Sequence, residues 1–267
     1  MEFVRVERRD STLEITLDRP PANAITPAVG AELHAAYCRL RDDRELRVGI
    51  LTGAGLRIFC AGWDMKEVAA ASDPAAVNDA VMEMPGGFAG ITEFWDLNKP
   101  VIAALNGAAV GGGFEIALAA DIIIAAEHVH FALPEMQRGF VPDAGAVQRL
   151  PRRLPYNVAV ELLLTGRRME AAEAARWGLV HKIVPPSALL EAARELAERI
   201  AAGAPLAVGA LLEVLPALDK LPLPEAFRRM KRGRSGLSLY ERMLVSDDFL
   251  EGARAYAEKR KPVWRGR

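Results

Sequence analysis

The stretch from Val101 to Ala126, VIAALNGAAVGGGFEIALAADIIIAA, sets the first limit on the fold. By length and apolar content it mimics a membrane span. Asn106, Glu115, Asp121 and four glycines interrupt it. A carboxylate at mid-bilayer costs roughly 2.5–3.5 kcal/mol or more. The stretch therefore reads as strand, loop and helix buried inside a protein core. With 51% of its 267 residues apolar, the chain has material for one large domain, or one domain with a smaller appendage. Inside the stretch, Gly111-Gly112-Gly113 costs backbone entropy. Glu115, two residues further on, costs desolvation unless something offsets it. Both costs in one turn point to a turn that is used.

Around that stretch, strands alternate with helices. TLEITLDRP alternates, with Leu13, Ile15 and Leu17 on one side and Thr12, Glu14 and Thr16 on the other. This predicts a half-buried strand, paired with FVRVER before it. Thr26 as N-cap and Pro27 behind it start a helix through residue 43. LRVGILTGAG, KPVIAALNG, DIIIAA and HFALPE read as strands. From Pro151 the pattern turns helical, and beyond Pro185 no strand signal remains. Ser187 is a candidate cap for ALLEAARELAERIAAG, and Ser246 for DDFLEGARAYAEKRK. The division expected is an α/β part over 1–190 and an all-helical part over 191–267.

Net charge is −1, which gives nucleic acid and anionic membranes no overall attraction. The N-terminus, MEFVRVERRD, lacks an apolar signal region. Two cysteines, Cys38 and Cys60, make no disulfide framework, so a reducing, cytoplasmic setting is expected.

The glycine turn has several possible readings. No glycine completes G-x-G-x-x-G, no Gly-Lys-Ser/Thr follows, and no G-x-S-x-G occurs. The four histidines show no H-E-x-x-H spacing, so no metal site is expected; His128 and His130 read as surface residues. A plain packing turn is the bland reading. The functional one is an anion site. Glycines let backbone N–H groups face a ligand, and the helix N-terminus that follows adds positive potential. Such donors stabilise an oxyanion, and Glu115 in the same turn is placed for proton transfer. FCAGWDMKE (Phe59 to Glu67) has a second glycine turn. FALPEMQRGFVPDAGAVQRLP carries Glu135 and Asp143.

Taken together, TLDRPPANAI, VGILTGAG, FCAGWDMKE, NKPVIAALNGAAVGGGFEIALAAD, FALPE, GFVPDAGAVQRLP and LTGRRMEAAEAARWGLV resemble, in order, the crotonase (enoyl-CoA hydratase/isomerase) superfamily. AGWD, PGGFAGITE, GFEIALAAD, FALPE and EKRKPVW are most like its carnitinyl-CoA dehydratase branch. The resemblance implies an α/β fold, a spiral of ββα units followed by a C-terminal all-helical oligomerisation region, in trimers or dimers of trimers. It implies a lyase acting on an acyl-CoA thioester, with coenzyme A as part of the substrate and no separate cofactor. The first expected substrate pair is crotonobetainyl-CoA and L-carnitinyl-CoA. A short-chain 2-enoyl-CoA hydratase or an isomerase is the enzymatic alternative, and a non-catalytic CoA- or RNA-binding oligomer is the other.

By motif position, the resemblance makes Glu115 and Glu135 the catalytic pair and the backbone N–H groups of Trp63 and Gly112 the oxyanion hole. Substrate or CoA contacts fall on Arg57, Ala61, Gly62, Asp64, Met65, Lys66, Gly111 and Asp143. Asp143 has two readings, tuning Glu135 or serving structure. Trp63, Phe88, Trp95 and Phe140 are candidates for an acyl pocket that suits a quaternary ammonium, each with core packing as its alternative. Substrate choice is expected to depend on the loop over residues 67–95. Asp121 reads as a local hydrogen-bond acceptor. FRRMKRGR, from Phe227 to Arg234, reads first as a solvated face.

Overall fold

The computed structural model describes residues 1–73, 75–76, 79–80 and 83–267. Strands β1 (Val4–Arg9) and β2 (Thr12–Leu17) form an antiparallel hairpin. Helix α1 (Pro27–Asp42) follows, its Thr26 side chain accepting from the Val29 N–H and Pro27 in its first turn, as the sequence predicts. A repeating unit then builds the chain. One strand joins a large sheet, the next joins a small sheet, and a helix or turn closes the step. The first step is β3 (Val48–Gly53), β4 (Ile58–Cys60) and α2 (Met65–Ala70). The second is β5 (Val101–Leu105), β6 (Ala108–Val110) and α3 (Gly112–Ala119). The third is β7 (Ile122–Ala126), β8 (His130–Ala132) and a 3₁₀ turn at Pro134–Arg138.

The large sheet has the order β1-β2-β3-β5-β7-β10 and is parallel from β2 onward, with β10 at Lys182–Val184. The small sheet has the order β4-β6-β8-β9, with β9 at Met169–Glu170 antiparallel to β8. This is the ββα spiral that the resemblance implies. β9 and β10 lie in a region that the sequence pattern presents as helical. They are two and three residues long and flank α6 (Ala171–Arg176), too short to show a period of two.

Strands of the large sheet are apolar on both faces because both are covered. Leu51, Ala103 and Ile123 face the core between the sheets, which holds Phe59, Phe114 and Phe131. Ile50, Ile102 and Ile124 face α7 (Leu189–Ala201) and meet Ala193 and Ala197. The same cover corrects the reading of β2 as half-buried. Glu14 is only 7% exposed. It survives burial because Arg194 of α7 donates to it at 2.7 and 2.9 Å and Arg9 adds an ion pair at 3.0 Å. Ser187 does not cap α7. It sits in the 3₁₀ turn Pro186–Ala188, and Ala188 is the N-cap, without a side-chain bond.

Helices α4 (Ala146–Arg153) and α5 (Tyr156–Thr165) lie between β8 and β9. After α7 come α8 (Pro205–Leu218), α9 (Leu223–Arg229), α10 (Ser238–Leu244) and α11 (Asp247–Ala257), the last capped by Ser246 as predicted. Among the described residues no single helix is long and apolar enough to cross a membrane.

Candidate functional site

Three turns meet beyond the carboxyl ends of the small sheet's parallel strands. β4 runs into Ala61-Gly62-Trp63, β6 into Gly111-Gly112-Gly113, and β8 into Leu133-Pro134-Glu135. Gly62 has φ +83°, and a Cβ there would stand 2.7 Å from the Gly112 nitrogen and 3.0 Å from the Val110 oxygen. Only glycine lets these two turns touch. Gly111 has φ +55°, and a Cβ there would stand 2.5 Å from Glu135 Oε1, so the second turn is held equally close to the third.

That arrangement leaves two donors available. Ile25 lies alongside Trp63: its N–H donates to the Gly62 carbonyl at 2.8 Å and its carbonyl accepts from the Asp64 N–H at 2.9 Å. The Trp63 amide therefore points away from Ile25. Gly112 opens α3, where a helix has no internal acceptor for its N–H. Among the described residues, neither amide donates a hydrogen bond to the protein. Both residues line one cavity of about 350 Å³.

Two carboxyls line the same cavity. Glu115 is in the first turn of α3 and 3% exposed, and the Ala146 N–H donates to its Oε1 at 2.9 Å. Burial pushes its pKa up to about 8, with the Ala146 bond opposing and Glu135 and Asp143 adding. Glu135 sits in the 3₁₀ turn and is also buried. Burial raises its pKa, Arg138 opposes and Asp143 adds. Its Oε2 is buried without a hydrogen-bond partner. The arrangement can bind a carbonyl oxygen on the paired amides and move protons through two carboxyls beside it.

Of the predicted residues, Ala61, Trp63, Met65, Gly111, Gly112, Glu115, Glu135 and Asp143 line the cavity, with Phe88 and Phe140. Gly62 acts through its backbone, as above. Others lie elsewhere. Asp64 caps α2, accepting from the Lys66 N–H at 3.0 Å, and pairs with Arg19 at 2.8 Å, so its carboxylate is already used. Arg57 and Lys66 are exposed and outside the cavity lining. Trp95 is 75% exposed and also outside it, with the Arg149 guanidinium 5.8 Å from its ring centre. Asp121 accepts from the Val101 N–H at 2.8 Å, the local role expected of it. Within 227–234, Arg228 and Arg229 donate to carbonyls of their own helical region. The loop over 67–95 is described in part, and residues 74, 77, 78, 81 and 82 lie outside the described residues. Among the described residues there is no cluster of three metal-ligating side chains.

Sequence reasoning missed Arg138, Val141 and the Ala146 amide. Arg138 had a signal: three residues after Glu135 in a 3₁₀ turn, it returns to the same side. The Ala146 amide had none, since a main-chain donor leaves no trace in residue type.

The model of the enoyl-CoA hydratase/isomerase family matches residues 7–267. A carnitinyl-CoA dehydratase from Proteus mirabilis is 54% identical over 266 residues, covering 100% of this chain and 99% of that one. A carnitinyl-CoA dehydratase from Salmonella typhi is 51% identical with the same coverage. Among solved structures, an enoyl-CoA hydratase from Mycobacterium tuberculosis aligns with TM-score 0.88 at 40% identity, covering 99% of both chains. One from Bacillus anthracis aligns with TM-score 0.89 at 37% identity, covering 99% of this chain and all of that one.

Proposed function

Because the chain belongs to the enoyl-CoA hydratase/isomerase family, we propose that it is a hydro-lyase that adds or removes water across the α,β-bond of an acyl-CoA thioester. The observation that carries this is the pair of undonated amides, Trp63 and Gly112, on the wall that also holds Glu115 and Glu135. The thioester carbonyl oxygen accepts from both amides. Charge gathers on that oxygen as an enolate-like state forms, and each donor contributes roughly 2.7–4 kcal/mol to lowering the barrier.

In the dehydration direction, Glu135 takes the α-proton and Glu115 delivers its proton to the departing β-hydroxyl. Glu115 suits the second role because burial keeps it protonated near neutral pH. Hydration runs the same steps backwards: Glu115 takes a proton from the attacking water and Glu135 returns one to the α-carbon. The two carboxyls exchange protons with one substrate and act as a unit. Water addition changes no overall oxidation state, so coenzyme A enters only as part of the substrate.

The substrate pair we propose is crotonobetainyl-CoA and L-carnitinyl-CoA. Relatives named carnitinyl-CoA dehydratase match the whole chain at 50–54% identity, and Trp63, Phe88 and Phe140 give the cavity aromatic faces. The second reading, a general short-chain 2-enoyl-CoA hydratase, draws on solved neighbours titled enoyl-CoA hydratase. Residues 191–267 serve self-association into trimers or pairs of trimers, supported by exposed Leu211, Leu215, Phe227 and Phe249. A cytoplasmic setting suits the free Cys38 and Cys60.

The test follows loss of the conjugated enoyl-thioester absorbance with crotonyl-CoA and crotonobetainyl-CoA side by side, for wild type and Glu135→Gln. Glutamate-dependent turnover favouring crotonobetainyl-CoA supports the first reading, and preference for crotonyl-CoA supports the second. No loss with either ester sinks both.

A further inference from the structure

Asp143 is the one cavity carboxylate for which the proton-transfer scheme has no use. It follows Val141-Pro142 on the wall after the 3₁₀ turn and is exposed. Only its backbone is engaged: its N–H donates to the Val141 carbonyl at 2.9 Å, and its own carbonyl accepts from Gln148 at 2.9 Å. Among the described residues its side chain makes no hydrogen bond or ion pair. Next to it, Phe140 and Val141 are 42% and 51% exposed while lining the same cavity. A carboxylate without a partner, beside exposed apolar surface, is an unusual wall for an anionic thioester to meet.

Among the described residues, Asp143 is the one cavity carboxyl that no nearby cation offsets: Arg138 acts on Glu135, Arg149 acts on Glu115, and burial keeps Glu115 protonated near neutral pH. Three carboxyls, Glu115, Glu135 and Asp143, line the cavity against one guanidinium, Arg138. Asp143 lies close enough to both glutamates to push both upward. Glu135, 4% exposed, keeps its Oε2 without a partner in the same cavity. A neutral acyl chain gains only the apolar contact with Phe140 and Val141. A quaternary ammonium gains more. It has no N–H to donate, so it needs no directional acceptor. It gains from aromatic faces, apolar contact with its methyl groups and an unneutralised negative charge.

We infer that Asp143, with the faces of Trp63 and Phe140, selects acyl groups that carry a permanent cation next to the β-carbon. This rests on the hydro-lyase reading and deepens it. In crotonobetainyl-CoA the nitrogen is two bonds from the carbon that gains or loses the hydroxyl. A substrate seated between Glu115 and Glu135 therefore presents its cation within the same cluster of carboxyls.

The experiment compares two esters of one shape: crotonobetainyl-CoA and 5,5-dimethylhex-2-enoyl-CoA, in which carbon replaces the charged nitrogen. The reading is the ratio of their kcat/KM values in wild type, Asp143→Asn and Asp143→Glu. The ratio favours the cation in wild type. It falls about tenfold in Asp143→Asn, between the roughly threefold of a unit charge pair about 6 Å apart in bulk water and the roughly hundredfold of the same pair near a protein surface, and recovers in Asp143→Glu. A ratio unchanged in Asp143→Asn overturns the inference even if both rates fall. If wild type turns over neither ester, nor crotonyl-CoA, the hydro-lyase reading fails by itself. The inference is then read from calorimetric Kd values of L-carnitinyl-CoA and 3-hydroxy-5,5-dimethylhexanoyl-CoA. Equal values overturn it, and a preference for the cation that Asp143→Asn removes supports it.

Discussion

Replacing Gly62 by alanine tests the paired amides without touching either donor residue. The added Cβ would stand 2.7 Å from the Gly112 nitrogen, where ordinary contacts begin near 3.4 Å. The two turns must separate by about 0.7 Å to bring that contact to 3.4 Å. Alanine at φ +83° adds about 1–3 kcal/mol of backbone strain. The melting temperature should fall by roughly 2–12 °C. The catalytic effect should be larger than that loss suggests. Oxyanion donors act at about 2.7–3.1 Å, and losing one costs roughly 10²–10³ in kcat. A shift of about 0.7 Å in one of the pair should cost about 30- to 300-fold in kcat. KM should change little, because the interaction strengthens mainly in the transition state. Steady-state kinetics by enoyl-thioester absorbance, with a thermal melt on the same preparation, separate the two effects. A kcat within threefold of wild type, alongside the expected fall in melting temperature, would refute the role assigned to these amides.

Glu115→Gln should lower turnover roughly 10²–10⁴-fold, and it should also stabilise the fold as pH rises. Burial raises the folded pKa of Glu115 to about 8, so between about pH 4.5 and pH 8 the folded state binds the extra proton and wild-type stability declines with pH. The melting-temperature advantage of Glu115→Gln should therefore grow from about pH 5 to about pH 8, and a flat difference contradicts the burial argument. Arg194→Met should destabilise the fold by about 1–2 kcal/mol at neutral pH in a denaturant titration, with Arg9 left as the remaining partner of Glu14. Arg194 holds the Glu14 carboxyl below its usual range. The stability that depends on this is present above about pH 4.5 and lost as pH falls through the folded value, so the gap between the two proteins should close in acid.

Much of the large sheet was legible because its strands are continuous apolar runs bounded by turns. Val48–Gly53, Val101–Leu105 and Ile122–Ala126 are such runs, and each is a strand. The small sheet was legible only at HFALPE, which holds His130–Ala132. Ile58–Cys60 and Ala108–Val110 are three residues long, and neither shows alternation. Yet this small sheet gathers the site. The charge of Glu14 made β2 look half-solvated, because nothing local announces an arginine 180 positions away. In the site, the residue types at 62, 111 and 115 were informative on physical grounds, since two glycines and a buried carboxylate are costly unless used. The meeting of Glu115 with Glu135 across the glycine turn was not readable from a twenty-residue separation. Motif resemblance suggested it, and the closeness of Gly111 to Glu135 gives it a geometry. Asp64 and Trp95 show the reverse limit. Their types suited a binding pocket, but one is committed to Arg19 and the other stands in solvent.

The three turns at the carboxyl edge of the small sheet divide the chemistry between main chain and side chains. On the proposed reading, the polarising groups are the peptide N–H groups at 63 and 112, which persist whatever side chain position 63 carries. The groups proposed to shape the acyl end are ordinary side chains at 63, 88, 140 and 143, all lining the cavity. Electrophile activation and acyl preference are therefore separately adjustable. A combinatorial library over those four positions should yield catalysts with new acyl selectivity on one unchanged activating frame, provided Gly62 and Gly111 are left alone.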